Sequence, residues 1–383
     1  MQNRIHHLCR DEQGMSFVFV GIGFTAFLAA TTLAIDVGMF MNARTQAQNS
    51  ADAGALAGAT ALVFNSYSNR ASSGPAVQGA ISAATANKVI GTAPTVLPAD
   101  VTFPLGPTGV DNRVQVFVHR SGPNAVPTLM GALFGVSSVD INAVATAEAS
   151  PANAMTCVKP FMIPDKWAEH TNPPWDTGDT FEAYDNKGNP LPNADVFVGA
   201  NDPVNYTGYT TARDAGTVLT LRAGTGSNIN PSFYFSWKMP DDIGGNFYRE
   251  NIAMCNQSMM HSGQKIIQEP GDKSGPTIQG IEDLIAKDPN AHWDTGCNCV
   301  KGSAFPISPR VFPIPLYNPQ YYADGKKNGR VADFEITNFL GFFAEPPQGN
   351  SIPGRITQII GIVDPNAAPA PAASFPMSIR LVQ

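Results

Sequence analysis

GMSFVFVGIGFTAFLAATTLAI, residues 14–35, is an uncharged run that ends against Asp36 and is followed by the alanine-rich stretch QNSADAGALAGA, residues 48–59. At about 1.5 Å rise per residue the run is a helix of about 30 Å, enough to cross the hydrocarbon core of a bilayer. A secretory signal has a shorter apolar core, about 7–15 residues, and ends in a small-x-small cleavage site. Here the run is longer, and a triplet such as Ala53-Gly-Ala55 falls well downstream, inside the expected helix. The run is therefore expected to be a retained anchor over residues 14–36, behind a cytoplasmic head over residues 1–13. Arg4 and Arg10 precede it and the next cation is Arg44, which puts the N-terminus in the cytoplasm and the bulk of the chain outside it.

After the anchor about 350 residues remain, more than one ordinary domain, so two folded parts are expected. A net charge of −7 and scattered Lys and Arg offer no basic field for nucleic acid. Cys9 falls in the cytoplasmic head, whereas Cys157, Cys255, Cys297 and Cys299 form an even set beyond the membrane, which implies two disulfides. Joining Cys297 to Cys299 closes a cramped ring, so each is expected to pair with Cys157 or Cys255, in either arrangement. A zinc site at Cys297-Asn-Cys299 with His292 or His261 is the competing reading, but its spacing is tighter than zinc pairs use.

Beyond Asp36 no proline stops the helix, and Ala51, Ala55, Leu56, Ala59, Leu62 and Val63 recur at helical spacing. Gly54 and Gly58 add a small-xxx-small face, suited either to the protein's own head or to a neighbouring subunit. A second helix is expected over residues 76–90. Period-two alternation then marks strands at 101–103, 113–119 and 139–147, with a short helix over 127–134. Residues 37–150 thus form a small α+β domain on the anchor helix. From residue 151 to 383 prolines, glycines and short apolar runs predict a β-rich exported domain, with strands at 195–198, 217–222, 232–237, 310–316, 334–340 and 355–363 and a helix at 280–287. The fold class is α+β: a long N-terminal pilin-like helix, a small α+β domain, then the β-rich part.

These residues resemble one family. A head ending in Asp11-Glu-Gln-Gly14, a span ending in Leu33-Ala-Ile-Asp-Val-Gly38, and Arg44-Thr-Gln-Ala-Gln-Asn-Ser-Ala-Asp-Ala-Gly-Ala-Leu-Ala-Gly-Ala59 are similar to the N-terminal module of the bacterial TadE/TadG-like pilus-assembly proteins. Residues 244–255 and 275–289 resemble segments of the long exported half of some members. The resemblance implies an inner-membrane pseudopilin-like or scaffold protein of a tight-adherence (Flp) pilus, working in adhesion, with the bilayer, other Tad subunits and secretion-apparatus proteins as partners. Two departures are plain. Pilins of this system carry Glu five residues after the cleaved glycine, where this chain has Phe19; and Asp272-Lys-Ser-Gly-Pro276 does not complete a von Willebrand-type Asp-x-Ser-x-Ser metal motif.

The rival is a membrane-tethered exported hydrolase or carbohydrate-binding protein. Ser262-Gly-Gln-Lys265 and Lys273-Ser-Gly275 echo penicillin-binding motifs but lie too close together, with no Ser-Asp-Asn. Asp176, Asp179, Glu182 and Asp185 complete no calcium loop and are expected to form turns. Trp167, Trp175, Trp237 and Trp293 are expected in the core rather than along a sugar groove. No enzyme activity, cofactor or metal is expected. Asp36, with Gly54 and Gly58, is the remaining candidate interaction residue: it either pairs with a cation of a neighbouring subunit or marks the outer membrane edge.

Overall fold

The computed structural model describes residues 12–64, 69–106, 112–202, 204–224, 226, 228–240, 244–327, 333–371 and 374–382. Arg4, Cys9, Arg10 and most of the expected head lie outside the described residues. The chain forms two compact units. One holds residues 1–58, 70–147 and 381–383; the other holds 59–69 and 148–380.

The first unit is built on the part of α1 up to Gly58; α1 (Glu12–Phe64) is one uninterrupted helix of 53 residues. It is followed by α2 (Pro75–Ala86), which opens on Pro75 where an N–H would lack a partner anyway. Strands β1 (Val101–Thr102), β2 (Arg113–Arg120), β3 (Val126–Pro127), β4 (Ser138–Val139) and β5 (Ile141–Pro151), the last as far as Ala147, complete it. β1 pairs antiparallel with β2, Val101 opposite Val116, and β3 with β4, Val126 opposite Val139. Alternation along β2 buries Val114, Val116 and Val118 on one face. The short helix expected over residues 127–134 is only a 3₁₀ turn, Gly131–Phe134. Thr128 N–H instead bonds Ser137 across the hairpin, at 3.0 Å, which holds residues 127–130 out of a helix.

The second unit contains β6 (Ala154–Met155), β7 (Phe161–Pro164), α3 (Thr211–Asp214), β8 (Val218–Ala223), β9 (Phe233–Ser236), α4 (Gly245–Ala253), β10 (Met260–His261), β11 (Lys265–Ile267) and α5 (Ser274–Lys287). After these come β12 (His292–Asp294), β13 (Cys299–Lys301), β14 (Val311–Tyr317), α6 (Pro319–Lys327), β15 (Asp333–Ala344), β16 (Ser351–Thr357), β17 (Ile359–Ile360) and β18 (Pro376–Val382). Its main sheet runs β11-β15-β14-β7-β9-β8-β16, and β16 also pairs with β15, so six of the strands close into a ring. All six contribute to one apolar cluster, including Ile163, Leu221, Tyr234, Ile314, Phe342 and Ile356, joined by Ile252 of α4 and Leu284 of α5. The alternate residues Met162, Phe235, Tyr317 and Phe339 pack in a second cluster on the other face. Burial on both faces explains the near-continuous apolar runs of β7, β14 and β15. Residues 195–198 form only an isolated bridge, Val196 to Ala168, because the Asp195 carboxylate is engaged by the N–H groups of His170, Thr171 and Glu182.

The four expected cysteines are all bonded, but in a different pairing: Cys157 to Cys255, and Cys297 to Cys299. The ring between the latter closes because β12 and β13 form a hairpin with Asp294 opposite Cys299. Asn298 at its tip takes a left-handed backbone, φ 50°. The carboxylate of Asp294 accepts the N–H of Gly296 and fixes that turn.

Candidate functional site

The anchor helix changes character at Asp36. From Ser16 to Ile35 nearly every residue is exposed, including Phe17, Phe19, Phe24, Phe27 and Leu33. Among the described residues α1 is the one helix long and apolar enough to cross a membrane. From Asp36 onward the buried positions are 36, 43, 47, 50, 51, 54, 55, 58, 59, 62 and 63, one step of seven and then steps of four, three and one that trace a single stripe along a 3.6-residue helix.

The stripe is made of small residues because its neighbours come close. A Cβ on Gly54 would lie 3.0 Å from the Ala84 Cβ and 3.2 Å from Val116; on Gly58 it would lie 2.8 Å from Val114 and 3.2 Å from Ala80. Gly54 and Gly58 are thus occupied by α2 and β2 of the same chain, which is the first of the two packings their spacing allows. Ser50 Oγ donates to the Ala84 carbonyl at 2.8 Å, and Gln46 accepts the N–H of Ile90 at 2.7 Å. Farther down, Ala43 and Ala47 pack with Val89, Val126 and Ile141, so the β3–β4 hairpin lies against α1 just past Asp36.

Asp36 is 2 % exposed, and its partners are main-chain amides. The N–H of Leu129 donates to Oδ1 at 2.7 Å; those of Met130 and Gly131 donate to Oδ2 at 2.8 and 3.0 Å. The carboxylate therefore caps the turn that begins at Gly131 and ties the hairpin loop to the helix. Neither expectation for Asp36 included this intramolecular role. The one signal for it in the sequence is TLMGALFGVS, residues 128–137, a second uncharged segment.

In the second unit the acidic strings form turns. Asp185 accepts the N–H groups of Lys187 and Asn189, and Asp176 accepts that of Gly178. Trp167 and Trp237 are buried, Trp237 donating to the Lys159 carbonyl at 3.0 Å. Trp175 stacks under the Lys166 ammonium at 4.1 Å, and Trp293 lies against Phe343. Among the described residues no three His, Cys, Asp or Glu converge as metal ligands.

Asp165 and Lys159 are among the buried charges that escaped sequence analysis, and no local pattern marks them. Asp165 accepts bonds from the N–H of Lys166 and Tyr209 and from the hydroxyls of Thr337 and Tyr206. Burial outweighs these donors and pushes its pKa up to about 6. Lys159 donates to the carbonyls of Ile252 and Met254 at 2.6 and 2.8 Å. Burial, with Lys287 nearby, pulls it down to about 7. Asp165 holds the loop at Tyr209, and Lys159 holds the C-terminal end of α4.

The first unit is thus a helix-mounted α+β head, with its packed stripe and its exposed apolar run on one continuous helix. Residues 14–61 match the Tad family model, Flp pilus-assembly TadE/G-like. The match covers the apolar run, Asp36 and the small-residue stripe, and supports a role in Flp pilus assembly. No curated protein and no solved structure matches the chain.

Proposed function

We propose that this chain is a non-enzymatic, single-pass inner-membrane protein with its N-terminus in the cytoplasm and both units exported. It serves as a pseudopilin-like or scaffold component of Flp pilus assembly and supports adhesion. The observation that carries this reading is where the family match falls: on the helix whose first half is exposed and apolar and whose second half is packed by its own head. With Gly54 and Gly58 covered intramolecularly, subunit contacts are left to the opposite, exposed side of α1, at Thr45 and Asn49. The oxidised cysteines, all beyond the anchor, fit an exported location.

A photo-crosslinker placed at Thr45 or Asn49 in cells, with mass spectrometry of the adducts, tests this. Recovery of pilin or secretion-apparatus subunits is the expected result; adducts free of both overturn the assembly role.

A further inference from the structure

The hairpin loop over residues 128–137 is held at the level where α1 emerges from its apolar run. From Ser16 to Ile35 the helix rises about 30 Å, the thickness of a hydrocarbon core, so Asp36 stands at the far boundary of the span. The loop reaches that same level, since three of its N–H groups lie 2.7–3.0 Å from the Asp36 carboxylate. It is also compact: Val136 N–H bonds the Gly131 carbonyl at 2.8 Å, Thr128 Oγ1 donates to the Val136 carbonyl, and Gly135 takes φ 83° to close the turn.

The loop carries no charge from Thr128 to Ser137, yet Leu129 is 59 % and Val136 50 % exposed. On α1 within one turn of Asp36, Leu33 and Val37 are exposed as well. The bonds to Asp36 set this uncharged loop, with its exposed aliphatic side chains, next to the end of the exposed apolar run of α1, so that the two form one apolar surface. We infer that this loop is seated in the outer interface of the bilayer, its aliphatic side chains continuing the lipid-facing surface of α1. The first unit then rests on the membrane at two points, with Asp36 shielded between them. Amphipathic surfaces bind the headgroup–acyl boundary in this way. The inference rests on α1 being a membrane span.

The full-length chain, with Cys9→Ser to leave only the disulfides, is reconstituted in vesicles of phosphatidylcholine and phosphatidylglycerol with or without brominated acyl chains. An environment-sensitive fluorophore is attached at Val136→Cys in the loop, Phe24→Cys in the span, or Ser73→Cys. The last precedes α2, whose Ala76 packs beside Gly58, about 33 Å along α1 from Asp36. Bromolipid is expected to quench the Phe24 and Val136 probes at least twofold and to leave the Ser73 probe unchanged. Quenching at Phe24 without quenching at Val136 overturns the loop inference while the span stands. A blue-shifted but unquenched Val136 probe assigns the loop to a protein contact and overturns it equally. Loss of quenching at Phe24 removes the anchor itself.

Discussion

Replacing Asp36 by alanine strips three main-chain N–H groups of their acceptor at once. A typical internal hydrogen bond contributes about 1 kcal/mol net, so Asp36→Ala is expected to cost about 3 kcal/mol locally. Asp36→Asn, which keeps one acceptor oxygen, is expected to fall between the two. Hydrogen exchange at Leu129, Met130 and Gly131 in detergent-solubilised protein reads this directly, and unchanged protection in Asp36→Ala counts against the cap. Asp165 gives a residue-scale prediction of a different kind. Its folded pKa of about 6 is raised above the unfolded value near 3.9. Its contribution is thus whole below pH 4 and is lost as pH rises through 6. At about 1.4 kcal/mol per pKa unit, that loss is about 3 kcal/mol. Asp165→Asn should abolish this slope. All four tryptophans lie in the second unit, so fluorescence-monitored urea unfolding between pH 4 and 7 reports on it alone. Equal slopes in both proteins would show that Asp165 is not the titrating group.

At the scale of elements, the two halves of α1 should respond oppositely to added volume. Around Gly23 nothing lies within 4 Å of a new Cβ, whereas around Gly58 the Val114 methyl would sit at 2.8 Å. Gly23→Ala is therefore expected to leave stability unchanged or raise it by less than about 1 kcal/mol, through helix propensity. Gly58→Val overpacks the contact with α2 and β2 and is expected to cost about 1–3 kcal/mol. Thermal melts followed by circular dichroism in detergent separate the two, and a neutral Gly58→Val would mean the stripe is not packed as described. The outer part of that stripe was legible in the sequence because helical packing is local: Ala51, Ala55, Ala59, Leu62 and Val63 carry their partner's face in their own spacing, whereas Ala43 and Ala47 were not singled out and Leu56 is only half-buried. The loop on Asp36 was not, since donor and acceptor are more than 90 residues apart. Nor was the ring, whose closure needs β16 between β8 and β15; close approach there leaves no room for a Cβ at Gly341 or Gly354. Individual strands such as β14 and β15 announce themselves by apolar runs, but alternation fixes which way a side chain points and not which strand lies beside it.

At the scale of the whole molecule, the disulfides and the anchor bear on one another. Cys157 and Cys255 close a loop of 98 residues, and a cross-link of that length is worth about 4–5 kcal/mol in the chain-entropy account. The Cys297–Cys299 ring closes only a hairpin tip and contributes far less by the same account. The second unit thus depends on an oxidising compartment through one bridge. Cys9 stands on the other side of the run from 14 to 35 from all four bonded cysteines. The exported topology proposed above predicts that protein taken from membranes, denatured without reductant, accepts one alkyl group per chain, and five after reduction. Five without reduction would put both units in the cytoplasm. The site of the single adduct matters as much as the count: it must be Cys9, because a free thiol at Cys157 or Cys255 would mean that the 98-residue loop of the second unit is not closed.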